Sequence, residues 1–201
     1  MSNPRGRPPK ITAEEIIAQA ATYDLRTISM KQVARDLNVT DAALYHHFPS
    51  RDLLIRIVAE RLTTDFKLPR RTKNWRRWLE KFSRELRLLL KNHPGAAHYL
   101  LVGGPVGEEQ LQIIDHALGI LIEAGFAPSR AWYTYSTVVN FIIRQANAEE
   151  QVHSQLVTDQ LAKAASVLPH LSDALSETDI GDREALFSFG LNALLTGIKP
   201  A

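Results

Sequence analysis

Between residues 40 and 51 the chain reads TDAALYHHFPSR, a run whose side chains suit the reading of another molecule's edge. Taken as a helix opened by Thr40, it turns Leu44 and Phe48 to the same side as Val39. Asp41, Ala42, Ala43, Tyr45 and His46 are then left facing outward. Small, aromatic and hydrogen-bonding residues suit a DNA major groove better than open solvent, which selects Lys and Glu. Ala42 or Ala43 can pack on a thymine methyl, Asp41 can accept from a cytosine amine, and Tyr45 can hydrogen-bond a phosphate. Asp41 has a second reading, because a carboxylate in a first helical turn favours the helix dipole and is repelled by phosphates. The alternative for the whole stretch is an ordinary hairpin inside an all-helical domain.

Other chemistry finds less support. The chain has no cysteine, which excludes disulfides and thiolate metal sites. His93, His98, His116, His153 and His170 are scattered without metal-ligand spacing, and Ser/His/Asp, H-E-x-x-H and phosphate-loop signatures are missing from the sequence. No enzyme activity, metal or cofactor is expected, and an enzyme built in the C-terminal half is a remote alternative. The net charge of +2 hides a division: residues 1–91 hold 19 Lys and Arg against 10 Asp and Glu, residues 92–201 hold 5 against 12. A basic end implies a polyanionic partner, since neutralising phosphates releases counterions; a solvated helix face accounts for many arginines after position 70. Arg5 and Arg7 flank Gly6 in a basic arm over residues 1–10, which can enter a minor groove or be merely a disordered basic tail. No apolar run approaches the roughly 18 residues of a membrane helix, and a cytoplasmic protein is expected.

The elements that must position the outward face can be read from their ends. Thr12 with Glu15 forms a capping box, with Ile11 and Ile16 as a hydrophobic staple, and this first helix should run to near Asp24. Ser29 caps a second helix, with Gln32 placed to complete another box; Val33, Ala34 and Leu37 share its inner face. Asn38 sits at the turn, where a left-handed conformation is needed. Ser50 caps a longer helix whose amide-rich start, beside Arg51, is suited to a phosphate. Leu53, Leu54, Ile57, Val58 and Leu62 carry this helix out of the basic domain, and Pro69 marks a break. The expected organisation is therefore an arm (1–10), a three-helix helix-turn-helix domain (11–51), a connecting helix (52–68) and a second domain (69–201).

The second domain reads as all-helical. Trp75, Trp78, Leu79, Phe82, Leu86 and Leu90 form one stripe, stopped at His93-Pro94-Gly95. A short segment spans Tyr99–Val102, further helices cover Leu111–Ile122, Pro128–Glu150 and Leu156–Leu168, and the acidic stretch Ser172–Asp182 reads as a loop. The last helix, from about Arg183 to Ile198, is apolar on several sides and contains Gly190 and Gly197. A glycine inside a helix costs about 1 kcal/mol relative to alanine, so a second backbone should approach closely. Either a homodimer interface through Phe187, Gly190, Leu191, Leu194 and Gly197, or burial in the chain's own bundle, supplies it.

Residues 11–54, with V-A-x-x-L-x-V followed by Leu44-Tyr45-His46-His47-Phe48, Arg51 and Leu53, resemble the DNA-binding domain of the TetR family of transcriptional regulators. The second half is similar to the tetracycline-repressor type of C-terminal domain, through Trp75, Trp78, His93, Gly125-Phe126, Glu149-Glu150-Gln151 with His153, and Phe189-Gly190-Leu191. The resemblance implies an all-α homodimer, an N-terminal helix-turn-helix on double-stranded operator DNA, and a C-terminal bundle for a small-molecule effector and dimerisation. It implies DNA contacts from Ser29, Lys31, Thr40, Asp41, Ala42, Ala43, Tyr45, His46, His47 and Arg51, with Arg5 and Arg7. It implies effector contacts from Phe82, Leu86, Leu100, Ala117, Trp132, Tyr135 and Val139. Two departures stand out. Asp24 replaces the glycine that usually ends helix 1, and Phe82 and Leu100 replace a polar group and a metal-binding histidine. The expected function is a repressor released by a largely apolar effector other than magnesium-tetracycline. An activator, or a repressor that needs a co-repressor, is the alternative.

Overall fold

The computed structural model describes residues 11–103, 106–150 and 155–200, with side chains omitted for 155–158. Among the described residues there are eleven helices and no strand: α1 (Ala13–Ala20), α2 (Met30–Asp36), α3 (Asp41–His47), α4 (Arg51–Thr64), α5 (Trp75–Asn92), α6 (Ala96–Leu101), α7 (Glu108–Glu123), α8 (Pro128–Glu150), α9 (Gln155–Ala165), α10 (Pro169–Glu177) and α11 (Arg183–Gly197). Arg5, Arg7, Gln151 and His153 lie outside the described residues.

The first three helices start where side-chain acceptors wait for unpaired amides. Thr12 and Glu15 form the full capping box. Ser29 and Thr40 accept from the amides of Gln32 (3.1 Å) and Ala43 (3.2 Å); the Gln32 half of the second box is not formed among the described residues. Asn38 takes φ of +54°, the one non-glycine residue with positive φ among the described residues, and lets α3 cross α2 over the buried Val33, Ala34 and Leu44. α1 stops at Ala20 rather than near Asp24. The Asp24 carboxylate instead accepts from the Arg26 amide at 2.8 Å, closing a side-chain turn. Asp24 thus makes this turn without the left-handed backbone that a glycine would supply.

α4 packs on α1 at one end and on α7 at the other, so a single helix belongs to both halves. The break after it is held by the Trp78 indole, which donates to the Pro69 carbonyl at 3.1 Å. α8 is the axis of the second half and is touched by α5, α6, α7 and α11. α9 and α10 pack on each other as a hairpin. The expectation of a loop over Ser172–Asp182 is wrong for its first half, where α10 runs to Glu177. Pro169 at its first position, where a missing amide costs nothing, was the available signal, with Leu171 and Leu175 on its partly buried side.

Arginines expected to be solvated are partly structural. Arg87 is 6% exposed, pairs with Glu149 at 2.8 Å and with Glu184, and lies 4.3 Å over the Phe187 ring. Arg76 donates to the carbonyls of Leu195 (3.1 Å) and Ile198 (2.9 Å). α5 is thereby tied to α11 by charge as well as by packing.

Candidate nucleic-acid interface and effector pocket

On α3, Leu44 is fully buried and Phe48 nearly so, while Asp41, Ala42, Tyr45 and His46 are exposed and Ala43 and His47 half-buried. Tyr45 is 49% exposed, an unusual placement for a ring with no internal partner to cover it. Asp41 lines a shallow hollow with Ser29, Lys31, Gln32, Arg35 and Val39, so the starts of α2 and α3 open on one surface. The sequence assigns Gln32 only a capping role and gives Arg35 none, because their spacing marks no more than an outer helix face.

Arg51 differs from expectation. Its guanidinium turns inward and donates to the carbonyls of Ile28 (2.7 Å), Arg26 (2.8 Å) and Leu25 (3.2 Å). These three carbonyls end the turn before α2 and have no helical partner, so Arg51 satisfies them instead of a phosphate. A brace of similar kind runs from Gln19 through the Tyr23 hydroxyl to the Asp36 carboxylate, which also accepts from Arg35. The Tyr23 hydrogen bond, then Arg35, holds Asp36 below the usual carboxylate range.

The α1–α2 turn is also where the two halves meet through polar groups. The Leu25 amide donates to the Pro94 carbonyl at 2.9 Å. One Glu150 oxygen accepts from the Gly95 amide at 3.1 Å and pairs with Arg26 at 3.3 Å. Burial pushes the Glu150 carboxyl up, against the pull of the Gly95 amide and Arg26. Gly95 takes φ of +83°, and a Cβ there would stand 2.5 Å from Asp24 Oδ1 and 2.7 Å from the Leu25 nitrogen. Sequence reasoning identified Gly95 as a helix stop and missed the junction, because its partners are far apart in the chain.

Between α4, α5, α6, α7 and α8 lies a cavity of about 670 Å³, counting the space open at its mouth. Of the residues named as effector contacts, Phe82, Leu86, Leu100, Tyr135 and Val139 stand in its wall. Ala117 and Trp132 do not: Ala117 is fully buried in the core of the second half, and Trp132 is 48% exposed one turn before Tyr135, its ring tilted against the Tyr135 ring at 6.4 Å outside the lining. Ala59, Leu62, Thr63 and Phe66 from the end of α4 and the segment just after it, together with Tyr99 and Gln110, complete much of the wall. None of the sixteen lining residues carries a carboxylate or an imidazole. Burial pushes the Tyr135 phenol up to about 12, so it stays protonated.

The expected dimer face needs correction too. Phe187 and Leu191 are buried in the chain's own bundle, with Phe187 stacked on Phe141 at 5.7 Å. Gly190 is explained within the chain, because a Cβ there would stand 2.6 Å from the Phe141 ring. Leu194 is half-buried, and among the described residues nothing lies within 4 Å of a Cβ at Gly197. The outward side of α11 carries Leu186 (49% exposed) and Phe189 (76% exposed), two large apolar residues that the expected interface left out because the helix is apolar on several sides.

Residues 12–57 match the family model described as bacterial regulatory proteins, tetR family, and residues 68–201 match the tetracyclin repressor-like C-terminal domain. Tetracycline repressor protein class C of Escherichia coli is 27% identical over 195 residues, which span 94% of this chain and 87% of that protein. An HTH-type transcriptional regulator of Saccharopolyspora erythraea is 24% identical over 94% of this chain and 85% of its own length. Among solved structures, a possible TetR family transcriptional regulator from Streptomyces coelicolor A3(2) superimposes with a TM-score of 0.79 at 27% identity, covering 92% of this chain and 97% of that one. ActR from Streptomyces coelicolor, solved free and with actinorhodin, has the same fold: the actinorhodin complex gives a TM-score of 0.79 at 22% identity, over 95% of this chain and 96% of its own.

Proposed function

Since the chain belongs to the TetR family of transcriptional regulators, we propose that it is a homodimeric repressor released from a palindromic operator by a small, largely apolar effector. One observation carries the reading: α4 begins at the helix-turn-helix and ends in the wall of the cavity, so an occupant of the cavity touches the helix that holds the reading head. α3 enters the major groove with Ala42, Ala43, Tyr45 and His46 toward the bases, while Ser29, Lys31, Thr40 and His47 face sugar and phosphate. Arg5 and Arg7 add minor-groove or phosphate contacts from the arm. Arg51 acts at one remove, holding the turn that presents α2. Two copies joined through the outward side of α11 place two α3 helices one DNA turn, about 34 Å, apart. An effector that binds one arrangement of the dimer better shifts the population away from that spacing.

Relatives named as tetracycline repressors, and a structural neighbour crystallised with minocycline, raise magnesium-tetracycline as a ligand. The lining argues against it here. Phe82 and Leu100 offer no hydrogen bond to a chelate's oxygens, which would be desolvated and unpaired. ActR, whose complex holds actinorhodin, is the more instructive neighbour. The test is selection of bound DNA from a random pool, then a gel shift on the recovered palindrome with the full chain. Tyr45→Ala and Lys31→Ala should lose retention while circular dichroism stays helical. Retention unchanged in both would sink the assignment of α3.

A further inference from the structure

The cavity is not uniformly apolar, and the exception is confined to one end. Beyond the chamber walled by Phe66, Phe82, Leu86 and Tyr135 lies a smaller recess, about 300 Å³ when the space open to solvent is counted and about 20 Å³ where it is closed, lined by Arg56, Glu60, Gly107, Glu109 and Gln110. Tyr99, Leu100, Thr63, Ala59 and Gln110 line both, so the two spaces are contiguous. At this junction the Tyr99 hydroxyl is buried and has no hydrogen-bond partner among the described residues. Buried polar atoms without partners are rare, and one beside a ligand-sized space asks for a ligand atom.

Resting on the effector reading above, we propose that the effector is an aromatic molecule with a neutral carbonyl group at one end, and that the Tyr99 hydroxyl donates to that carbonyl. The aromatic body belongs in the chamber. Phe66 meets Phe82 edge-on at 5.6 Å (88°) and Tyr135 is tilted to Phe82 at 6.3 Å, so rings border the space in several orientations and offer both edges and faces to a flat π system. The carbonyl belongs at Tyr99. Burial, reinforced by Glu60, raises that phenol, so the hydroxyl keeps its proton and acts as a donor at neutral pH. The end must be neutral because the recess holds Glu60 and Glu109 against Arg56 alone, and Arg56 already faces Glu60 at 3.8 Å. A carboxylate would meet uncompensated negative charge there. Arg56, Ala59, Glu60 and Thr63 lie on one face of α4, so the end read by Tyr99 is also the end nearest the reading head.

Three naphthalene probes of matched size test this with the full-length protein by titration calorimetry: acetylnaphthalene, ethylnaphthalene and naphthoate. Acetylnaphthalene should bind the unmodified protein most tightly. Tyr99→Phe should weaken it about tenfold, the effect of one lost hydrogen bond, and leave ethylnaphthalene within about twofold. Leu86→Trp, which fills the chamber, should abolish both. The proposal is overturned if naphthoate binds more tightly than acetylnaphthalene, if Tyr99→Phe lowers both neutral probes alike or neither, or if no probe binds. The operator gel shift without any probe stays independent of these outcomes. Should the probes behave as expected yet leave the DNA complex intact, the pocket chemistry stands and the release mechanism falls.

Discussion

Gly95→Ala should be among the most damaging single-methyl changes in this protein, and its cost divides into two separable parts. The backbone part follows from φ of +83°, a conformation that costs an L-residue about 1–2 kcal/mol. The packing part follows from a Cβ placed 2.5 Å from Asp24 Oδ1, 2.7 Å from the Leu25 nitrogen and 2.8 Å from the Arg26 nitrogen. Two of those atoms are backbone, held by the Pro94 carbonyl and by the Asp24 turn, so relief requires moving the α1–α2 connection. Forcing extra volume into such a contact costs about 1–3 kcal/mol more. The expected total is about 2–5 kcal/mol, or about 4–20 °C in Tm for a chain of this size. Gly103 supplies the control, with φ of +80° and nothing within 4 Å of its Cβ position, so Gly103→Ala should show the backbone part alone, about 1–2 kcal/mol. Urea unfolding of both variants beside the unmodified chain measures the difference directly. Equal losses in the two would refute the close approach between the halves. A Gly95→Ala protein that keeps its operator affinity below its Tm would refute the view that this contact sets the position of the reading head.

Arg51→Ala leaves three carbonyls before α2 unpaired and should cost about 1–3 kcal/mol by thermal unfolding; it should weaken DNA retention only in proportion to lost fold, and Arg51→Lys should rescue little. Gly190→Ala meets the Phe141 ring and should destabilise, with Phe141→Leu in the same chain restoring most of the loss. Gly197→Ala meets nothing among the described residues and should be neutral or stabilise by up to about 1 kcal/mol, whereas a loss of the dimer by light scattering would place a second chain there. The side-chain hydrogen bond from Arg26 holds Asp24 below the ordinary Asp range. A depressed acid contributes stability above its unfolded value and loses it as pH falls through the folded one, so Asp24→Asn should flatten the acid limb of a stability–pH curve. Magnesium with tetracycline should leave Tm unchanged, and a clear rise would overturn the reading of Phe82 and Leu100.

The parts legible in the sequence are those fixed by neighbours within one or two turns. Thr12, Ser29, Thr40, Ser50 and Asn38 each act on atoms a few residues away, so the helix starts and the Asn38 turn could be read to within a residue, whereas the end of α1 could not. Leu44 and Phe48 follow from helical spacing, and the cavity residues on α5 and α8 followed from resemblance rather than spacing. What escaped depends on contacts between distant segments. Arg51 beside a helix start looks like a phosphate ligand until the carbonyls of Leu25, Arg26 and Ile28 are seen beneath it. Gly190 and Phe187 look like an interface until Phe141, far away in sequence, is found against both. Tyr99 carries no sequence signal, because nothing local distinguishes a satisfied hydroxyl from an unsatisfied one.

Two kinds of contact join the reading head to the bundle, and they differ in what it costs to change them. α4 is held by apolar packing, with Leu54, Val58 and Leu62 buried, and withdrawing such side chains from a core costs about 2 kcal/mol each. The junction of Arg26, Pro94, Gly95 and Glu150 is held by a few hydrogen bonds and an ion pair, with Gly95 and Glu150 covered and Arg26 partly exposed; each such bond is worth only about 1 kcal/mol net once opening lets water replace the lost partner. A motion that keeps the packing and exchanges the polar contacts is therefore the cheap one. Under the proposed release mechanism such a motion would pivot the head about α4 while opening the junction, and the cavity lies against the same helix. An effector needs to supply only the small difference between two such arrangements, which a few hydrogen bonds and a filled apolar chamber can provide.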